Sequence, residues 1–240
     1  MLAFHLTHAG FALDDLRKRR IKISRLEDLN DPFELMAVAL PDPAHQVALE
    51  AMKRQIGETR GVICFSTSWR NPVLWAHYAD KHRGMALGFE IETSKIQKIS
   101  YASQRLRMVL EDASGNPSIT PEMMNQILST KYRDWKYENE VRVICALDDI
   151  DTETGFYFAD FDPDARLRQV ILGPRCTTTH QQVAEVMHHS HNDVQVISSR
   201  LAFNSFRVVR NKAIPISVFP NFIGPQKLIP TSIGTPRSAK

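Results

Sequence analysis

G-V-I-C-F-S-T-S-W-R-N-P-V-L-W-A-H-Y, residues 61–78, is the stretch in which the period of the chain changes, and the fold class turns on it. Gly61–Ser68 is an apolar, β-branched run of eight residues, the pattern of a buried strand. Asn71 and Pro72 then open a helix. An asparagine at the cap accepts a bond from an orphan helix N–H, and a proline at the first position lacks an N–H that would have gone unpaired anyway. A buried strand feeding a capped helix predicts a domain that mixes both element types.

The same alternation extends in both directions. Upstream, Leu2–Thr7 alternates as a short strand, and a helix after Gly10 carries Phe11, Leu13 and Leu16 and ends in Arg17–Arg20. Ile21–Ser24 is extended. Leu26–Leu35 is rich in turn formers, with Asn30-Asp31-Pro32 a tight turn, and Ala44–Ile56 returns to helix. Downstream, Met85–Ile91 is a strand entered through Gly84, and Thr120-Pro121-Glu122 starts a helix running to about Tyr132. Glu138–Leu147 and Arg168–Leu172 read as strands, Thr177–His189 as a helix, and Val194–Ser198 and Phe206–Val209 as further strands. Because the alternation is irregular, it predicts an α+β domain rather than a repeating barrel. After Ile214, prolines at 215, 220, 225, 230 and 236 forbid a long helix or a central strand. The expected organisation is one domain over 1–210 and a Pro-rich extended tail over 211–240.

Composition narrows the class. The 240 residues are 43% hydrophobic and 24% charged, close to a globular average, which excludes collagen-like, coiled-coil and disordered chains. A chain of this length buries about 70% of its unfolded surface. Thirty Lys plus Arg against 27 Asp plus Glu leave a net charge of +3, compatible with a nucleotide or nucleic-acid partner without requiring one. Cys64, Cys145 and Cys176 are odd in number and far apart, which argues against a disulfide framework or zinc ribbon and for a reducing cytoplasm. M-L-A-F-H-L-T-H-A-G lacks the build of a signal peptide, and no uncharged run approaches 18 residues, so no membrane partner is expected.

Three polar i, i+2 pairs fall on strands that are otherwise apolar: His5/Thr7, Ser66/Ser68 and Glu138/Glu140, with Arg142 continuing the last face. As neighbours in one sheet they would line a polar cleft holding an imidazole, hydroxyls and two carboxylates; singly, each could simply face water at a strand end. Trp75 and Tyr78 share a helix face and either stack on a planar ring or anchor the core. Arg17–Arg25 carries six Lys or Arg in nine positions and either pairs with phosphates, through Arg19 and Arg20 among others, or is a solvated helix end. His77, Asp80 and His82 are poorly spaced for a metal, and His188, His189 and His191 read as surface, so no metal is expected. There is no P-loop, no G-x-G-x-x-G and no G-x-S-x-G.

N-D-P-F-E (Asn30–Glu34), L-W-A-H-Y (Leu74–Tyr78), R-G-M-A-L-G-F-E (Arg83–Glu90), W-K-Y-E-N-E-V-R (Trp135–Arg142) and V-I-L-G-P-R-C (Val170–Cys176) together resemble a widespread bacterial family of unknown function over about residues 1–210. A second set of motifs is similar to the ADP-ribosyltransferase fold, especially its DNA-modifying toxins. It comprises F-H-L-T-H (Phe4–His8), R-N-P-V-L (Arg70–Leu74), N-E-V (Asn139–Val141) and the apolar strand and helix over Arg168–Met187. F-S-T-S and E-x-E are similar instead to motifs of the arginine-type branch. That resemblance implies a split, mostly antiparallel sheet flanked by helices. It also implies an enzyme consuming NAD, with transfer of ADP-ribose to a nucleic acid or protein in conflict settings such as phage defence or toxin–antitoxin pairs. Under it, His5 and Thr7 would hold a ribose, Ser66 the nicotinamide end, and Tyr78 would stack on the nicotinamide; Arg70 would meet substrate. Glu140 would be the catalytic carboxylate with Glu138 its helper or substitute. Two rival readings stand beside it: a catalytically silent nucleotide or nucleic-acid binding module, and a nuclease using His77 with Glu90 or Glu140.

Overall fold

The computed structural model describes residues 1–31, 33–34, 36–40, 42–108, 118–187 and 193–219. In chain order the elements are β1 (Leu2–Thr7), α1 (Ala9–Lys18), β2 (Arg20–Arg25), α2 (Pro43–Thr59), β3 (Arg60–Ser66), α3 (Pro72–Tyr78), β4 (Met85–Ile91), β5 (Gln97–Lys98) and β6 (Ser100–Ala102). They continue with α4 (Pro121–Leu128), β7 (Thr130–Tyr132), β8 (Glu140–Ala146), β9 (Tyr157–Asp160), β10 (Ala165–Leu172), α5 (His180–Val186), β11 (Val194–Leu201), β12 (Val208–Arg210) and β13 (Ser217–Phe219). The fold is α+β with a large, mostly antiparallel sheet.

Strands run in the order β12-β11-β10-β4-β1-β3-β2-β9, with β13 on β11, β8 on β3 and β5 on β8. Among the described strands only β10 and β11 pair in parallel within it; β6 and β7 form a separate parallel pair. The feature that matters for function is a fork. β1 pairs with β4 along its whole length, but with β3 only at Phe4↔Ser66. At its other end β3 takes β2 as neighbour, through Ser24↔Val62 and Arg25↔Gly61, while β8 covers its far side from Arg60 to Ser66. The sheet therefore opens between β1 and β2.

Both faces are packed. Ala12, Leu16 and Val183 of α1 and α5 cover Met85, Leu87, Phe89 and Val170 on one side. On the other, Leu74 and Trp75 of α3 sit on Phe4, Leu6, Ile171 and Ile197. Trp75 is fully buried and donates its indole N–H to the Trp69 carbonyl, so it is a core anchor whose truncation would cost about 3–5 kcal/mol. A third cluster packs Leu49 of α2 against Val38, Val62 and Ile127. After α3 the chain turns back through Asp80, Lys81 and His82, all at positive φ. Gly84 completes the return because a Cβ there would lie 2.1 Å from the Thr7 carbonyl oxygen.

Several sequence expectations need correction. The helix expected to reach Tyr132 stops at Leu128, where Ser129 and Thr130 turn their hydroxyls back onto the Asn125 and Gln126 carbonyls, each at 2.7 Å, and compete with the helix ladder. The strand expected from Glu138 starts at Glu140; Arg133–Glu138 is a 3-10 turn closed by Asn139 at φ 44. Ser68 likewise lies past the end of β3. Phe206 lies in a loop before β12 rather than in a strand. Beyond the expected boundary at 210, residues 217–219 add an edge strand to β11, while 220–240 and the 188–191 histidines lie outside the described residues.

Candidate functional site

A cleft of about 220 Å³ opens at the fork of the sheet, and five of the residues expected from the sequence line it: His5, Ser66, Tyr78, Glu138 and Glu140. They reach it from different elements. Register puts Phe4, Ser66 and Glu140 side by side on one face, since cross-strand partners share a face. His5 and Thr7, one residue out of phase with Phe4, point to the opposite face. His5 still reaches the cleft because the ladder is broken there: its Nδ1 donates to the Cys64 carbonyl at 3.0 Å, filling the gap that strand pairing leaves. Burial lowers the pKa of this imidazole, so it stays neutral. Thr7 does not line the cleft.

Ser66 is buried and donates to the Glu138 carbonyl at 2.6 Å, which ties the end of β3 to the turn before β8. Glu138 thus arrives from that turn rather than from a strand face, but its carboxyl still meets Glu140 around one cation. Lys131 Nζ lies 2.7 Å from Glu138 Oε2, 3.1 Å from Glu140 Oε2 and 3.9 Å from Glu34 Oε2. Arg142 Nε donates to Glu140 Oε1 at 2.6 Å and its Nη1 to Glu34 Oε1 at 2.6 Å. All five side chains are buried, with no residue above 6% exposure. Three carboxylates against two cations leave the cluster at −1 when all are ionised.

The environments of the two glutamates pull apart. Burial alone would raise Glu140, but Arg142 and then Lys131 outweigh it and hold the carboxyl at about 2. For Glu138 burial dominates over Lys131, and its pKa is raised. Two neighbouring carboxyls displaced in opposite directions form an arrangement suited to one permanent anion and one proton-exchanging group. Asn30 Nδ2 donates to the Tyr78 hydroxyl at 2.9 Å, so that hydroxyl turns its own proton to Glu138 Oε1. Burial and the Glu138 carboxylate push the Tyr78 pKa up. The Tyr101 hydroxyl, its pKa raised to about 12 chiefly by burial, accepts the Glu140 backbone N–H at 2.8 Å. Glu34 lines the cleft, and among the described residues its buried Oε2 has no hydrogen-bond partner.

The structure does not bring the remaining candidates to the cleft. Arg19 pairs with Asp162 at 3.0 Å, Arg20 with Asp151, Lys18 with Asp14, and Arg25 with Glu27 at 2.9 Å. The basic run is therefore largely neutralised from within the protein. Arg70 is exposed beside Trp69 and outside the cleft lining. Glu90 is engaged by Arg168 at 2.6 Å. Among the described residues no group of three His, Cys, Asp or Glu could hold a metal ion, and no helix is long and apolar enough to cross a membrane.

Sequence reasoning missed Lys131, Glu34 and Asn30 as site residues. Glu34 and Asn30 were in view as ends of N-D-P-F-E, a motif with charged and polar residues in an otherwise turn-forming stretch. Lys131 carried no signal, because it sat in what read as the last turn of a helix.

Fold and cleft together define an α+β protein with a buried cluster of three carboxyls and two cations beneath an opening of about 220 Å³. Residues 74–143 match the model of a family described as Protein of unknown function (DUF2971). The resemblance to a family of unknown function is thus borne out over the segment that holds L-W-A-H-Y, R-G-M-A-L-G-F-E and W-K-Y-E-N-E-V-R. No curated protein matches the chain, and no solved structure does.

Proposed function

We propose that the cleft binds the nicotinamide–ribose end of NAD and that the protein is an ADP-ribosyltransferase-like enzyme, passing ADP-ribose to a nucleic-acid or protein acceptor. The observation that carries this reading is the excess negative charge of the Glu34/Lys131/Glu138/Glu140/Arg142 cluster beneath the opening. The nicotinamide ring of NAD is a cation, and breaking its bond to ribose builds positive charge on the sugar, as in glycoside cleavage. A prearranged anionic cluster favours both.

The residues present fit such a guest at one end only. About 220 Å³ is below the roughly 300–1,000 Å³ of typical ligand sites, enough for a ring and a sugar rather than a whole dinucleotide. Lys131 and Arg142 are buried and already paired, so they offer little to a pyrophosphate. Recognition therefore concentrates on the nicotinamide side. Glu34 Oε2, buried and only distantly ion-paired with Lys131 at 3.9 Å, has hydrogen-bond capacity left for a carboxamide or hydroxyl donor.

Within this reading Glu140 supplies fixed charge, its oxygens being held by Arg142 and Lys131. Glu138 is the carboxylate that substrate touches: it accepts the ribose 2′-hydroxyl and takes the proton of the attacking group. Electrons of the C–N bond leave with nicotinamide, and the acceptor's lone pair closes on the anomeric carbon. His5 and Tyr78 shape the walls, one neutral and one aromatic.

The experiment is nicotinamide release from NAD, measured for wild type and Glu138→Gln. The amide keeps shape and neutral acceptance but cannot take the proton, so release should fall by about 10²-fold or more. A Glu138→Gln protein as active as wild type refutes the assignment. Saturation-transfer NMR with NAD and with its nicotinamide mononucleotide half adds a binding readout; failure of both to contact the protein refutes the ligand.

A further inference from the structure

β11 and β12 are joined by a six-residue loop, 202–207, closed by the Ala202 N–H on the Arg207 carbonyl at 2.9 Å. It throws two large apolar side chains into water. Phe203 is 88% exposed and Phe206 96%. Among the described residues neither packs into a core cluster, and paired exposed aromatics mark interaction surfaces.

Charge says what such a surface would meet. Over the described residues from Val194 to Phe219 the sequence has four Lys or Arg and no Asp or Glu, a charge of +4. Arg200, Arg207, Arg210 and Lys212 lie on or beside the loop. The Arg200 guanidinium sits 4.3 Å from the centroid of the Phe203 ring. A groove of about 600 Å³ separates the loop from the turn at Pro174, lined by Pro72, His82, Arg175, Phe203, Phe206 and Arg207. Val208 N–H donates to the Arg70 carbonyl at 2.9 Å, so Arg70 borders the same region.

Rings interleaved with guanidinium groups along a concave groove are the chemistry of unpaired bases and their phosphates: bases stack on the rings, phosphates pair with the cations. A bilayer would instead favour a convex apolar tip, and here Asn204 and Ser205 occupy the tip between the two rings. We infer that the 202–207 loop and its groove form a docking surface for single-stranded nucleic acid. This places the nucleic-acid surface at the C-terminal hairpin instead of the internally paired Arg17–Arg25 run.

Fluorescence anisotropy with a fluorescein-labelled, mixed-sequence 12-nucleotide single strand, as RNA and as DNA, tests it without NAD. Phe203→Ala/Phe206→Ala should weaken binding about thirtyfold or more, the loss of two stacked bases. Arg207→Gln should lower the salt slope of log K by about 0.7, one phosphate contact on a single strand. Arg19→Ala/Arg20→Ala should bind as wild type does. Since both rings are exposed, their removal leaves the melting temperature unchanged, which separates a binding defect from misfolding. Absence of binding to either strand, or binding indifferent to the double substitution, overturns the inference. So does Phe-dependent sedimentation with phosphatidylserine vesicles in place of oligonucleotide binding. The readout involves neither NAD nor Glu138, so it fails or succeeds independently of the catalytic reading.

Discussion

Replacing Lys131 by methionine preserves the reach of the side chain and deletes one of two cations in the buried cluster. Three carboxylates then face Arg142 alone. Breaking a buried ion pair by removing one partner costs about 3–5 kcal/mol, because the charge left behind is uncompensated. For a chain of this size each kcal/mol is worth about 2–4 °C, so the melting temperature at about pH 7.5 should drop by roughly 6–20 °C. The deficit must depend on pH, and its sign follows from Glu138. That carboxyl is already raised above its ordinary value by burial, and losing Lys131 raises it further. A group with a raised folded pKa adds stability that is full below its unfolded value, about 4.5, and lost as pH rises through the folded value. The variant should accordingly recover much of its loss at about pH 5. Lys131→Met/Glu138→Gln, which removes the stranded charge, should recover more than half of it already at about pH 7.5. Thermal and urea unfolding followed by tryptophan fluorescence at several pH values measures all three proteins. A loss below about 1 kcal/mol that is flat in pH, or a double variant no steadier than the single, would refute the charge balance described for the cluster.

Glu140 has the opposite sign: its lowered pKa contributes stability present above about 4.5 and lost as pH falls toward about 2, so the urea midpoint of wild type should fall more steeply across that window than that of Glu140→Gln. Tyr78→Phe leaves Glu138 Oε1 without its donor, which should cost about 1–3 kcal/mol in urea unfolding and shift the pH profile of nicotinamide release upward as Glu138 becomes more basic. Gly84→Ala forces a Cβ to within 2.1 Å of a backbone oxygen of β1 and 2.9 Å of the Ala79 backbone, contacts that no side-chain rotation relieves. It should lower the melting temperature by several degrees or more, and a melt within about 1 °C of wild type would show that the return after α3 is looser than described.

The strand–helix alternation was legible because burial writes itself into period: β3, β4, β10 and the capped starts of α3 and α4 all lie where apolar runs and cap residues put them. The misses share a cause, competition by local hydrogen bonds that no period reports. Ser129 and Thr130 bond back to the end of α4, and a left-handed Asn139 makes a 3-10 turn of residues that alternate like a strand. The site was legible in a different way. Ser66, Tyr78, Glu138 and Glu140 do converge, yet not by the three-strand alternation that suggested it. His5 shows this most plainly, since it belongs to the other face and enters only because β1 and β3 share a single pairing. Lys131, which organises the carboxylates, was invisible because its contacts are to residues 7, 9 and 97 positions away along the chain.

The charge count of the cluster separates a structural role from a functional one. A buried ion network that serves stability alone gains nothing over well-packed apolar residues of the same volume, and an unbalanced one is worse than a balanced one. Here the imbalance is placed where it has an outlet: Glu34, Glu138 and Glu140 all line the cleft rather than the closed core. Either a proton on Glu138 or a cationic guest restores neutrality, and both use the same site. A guest that carries positive charge would therefore displace the proton, making its binding stronger as pH rises through the Glu138 pKa. A neutral guest of equal shape would show no such dependence. That difference makes the pH dependence of binding a test of the proposed cationic guest, with the raised Glu138 carboxyl as its sensor.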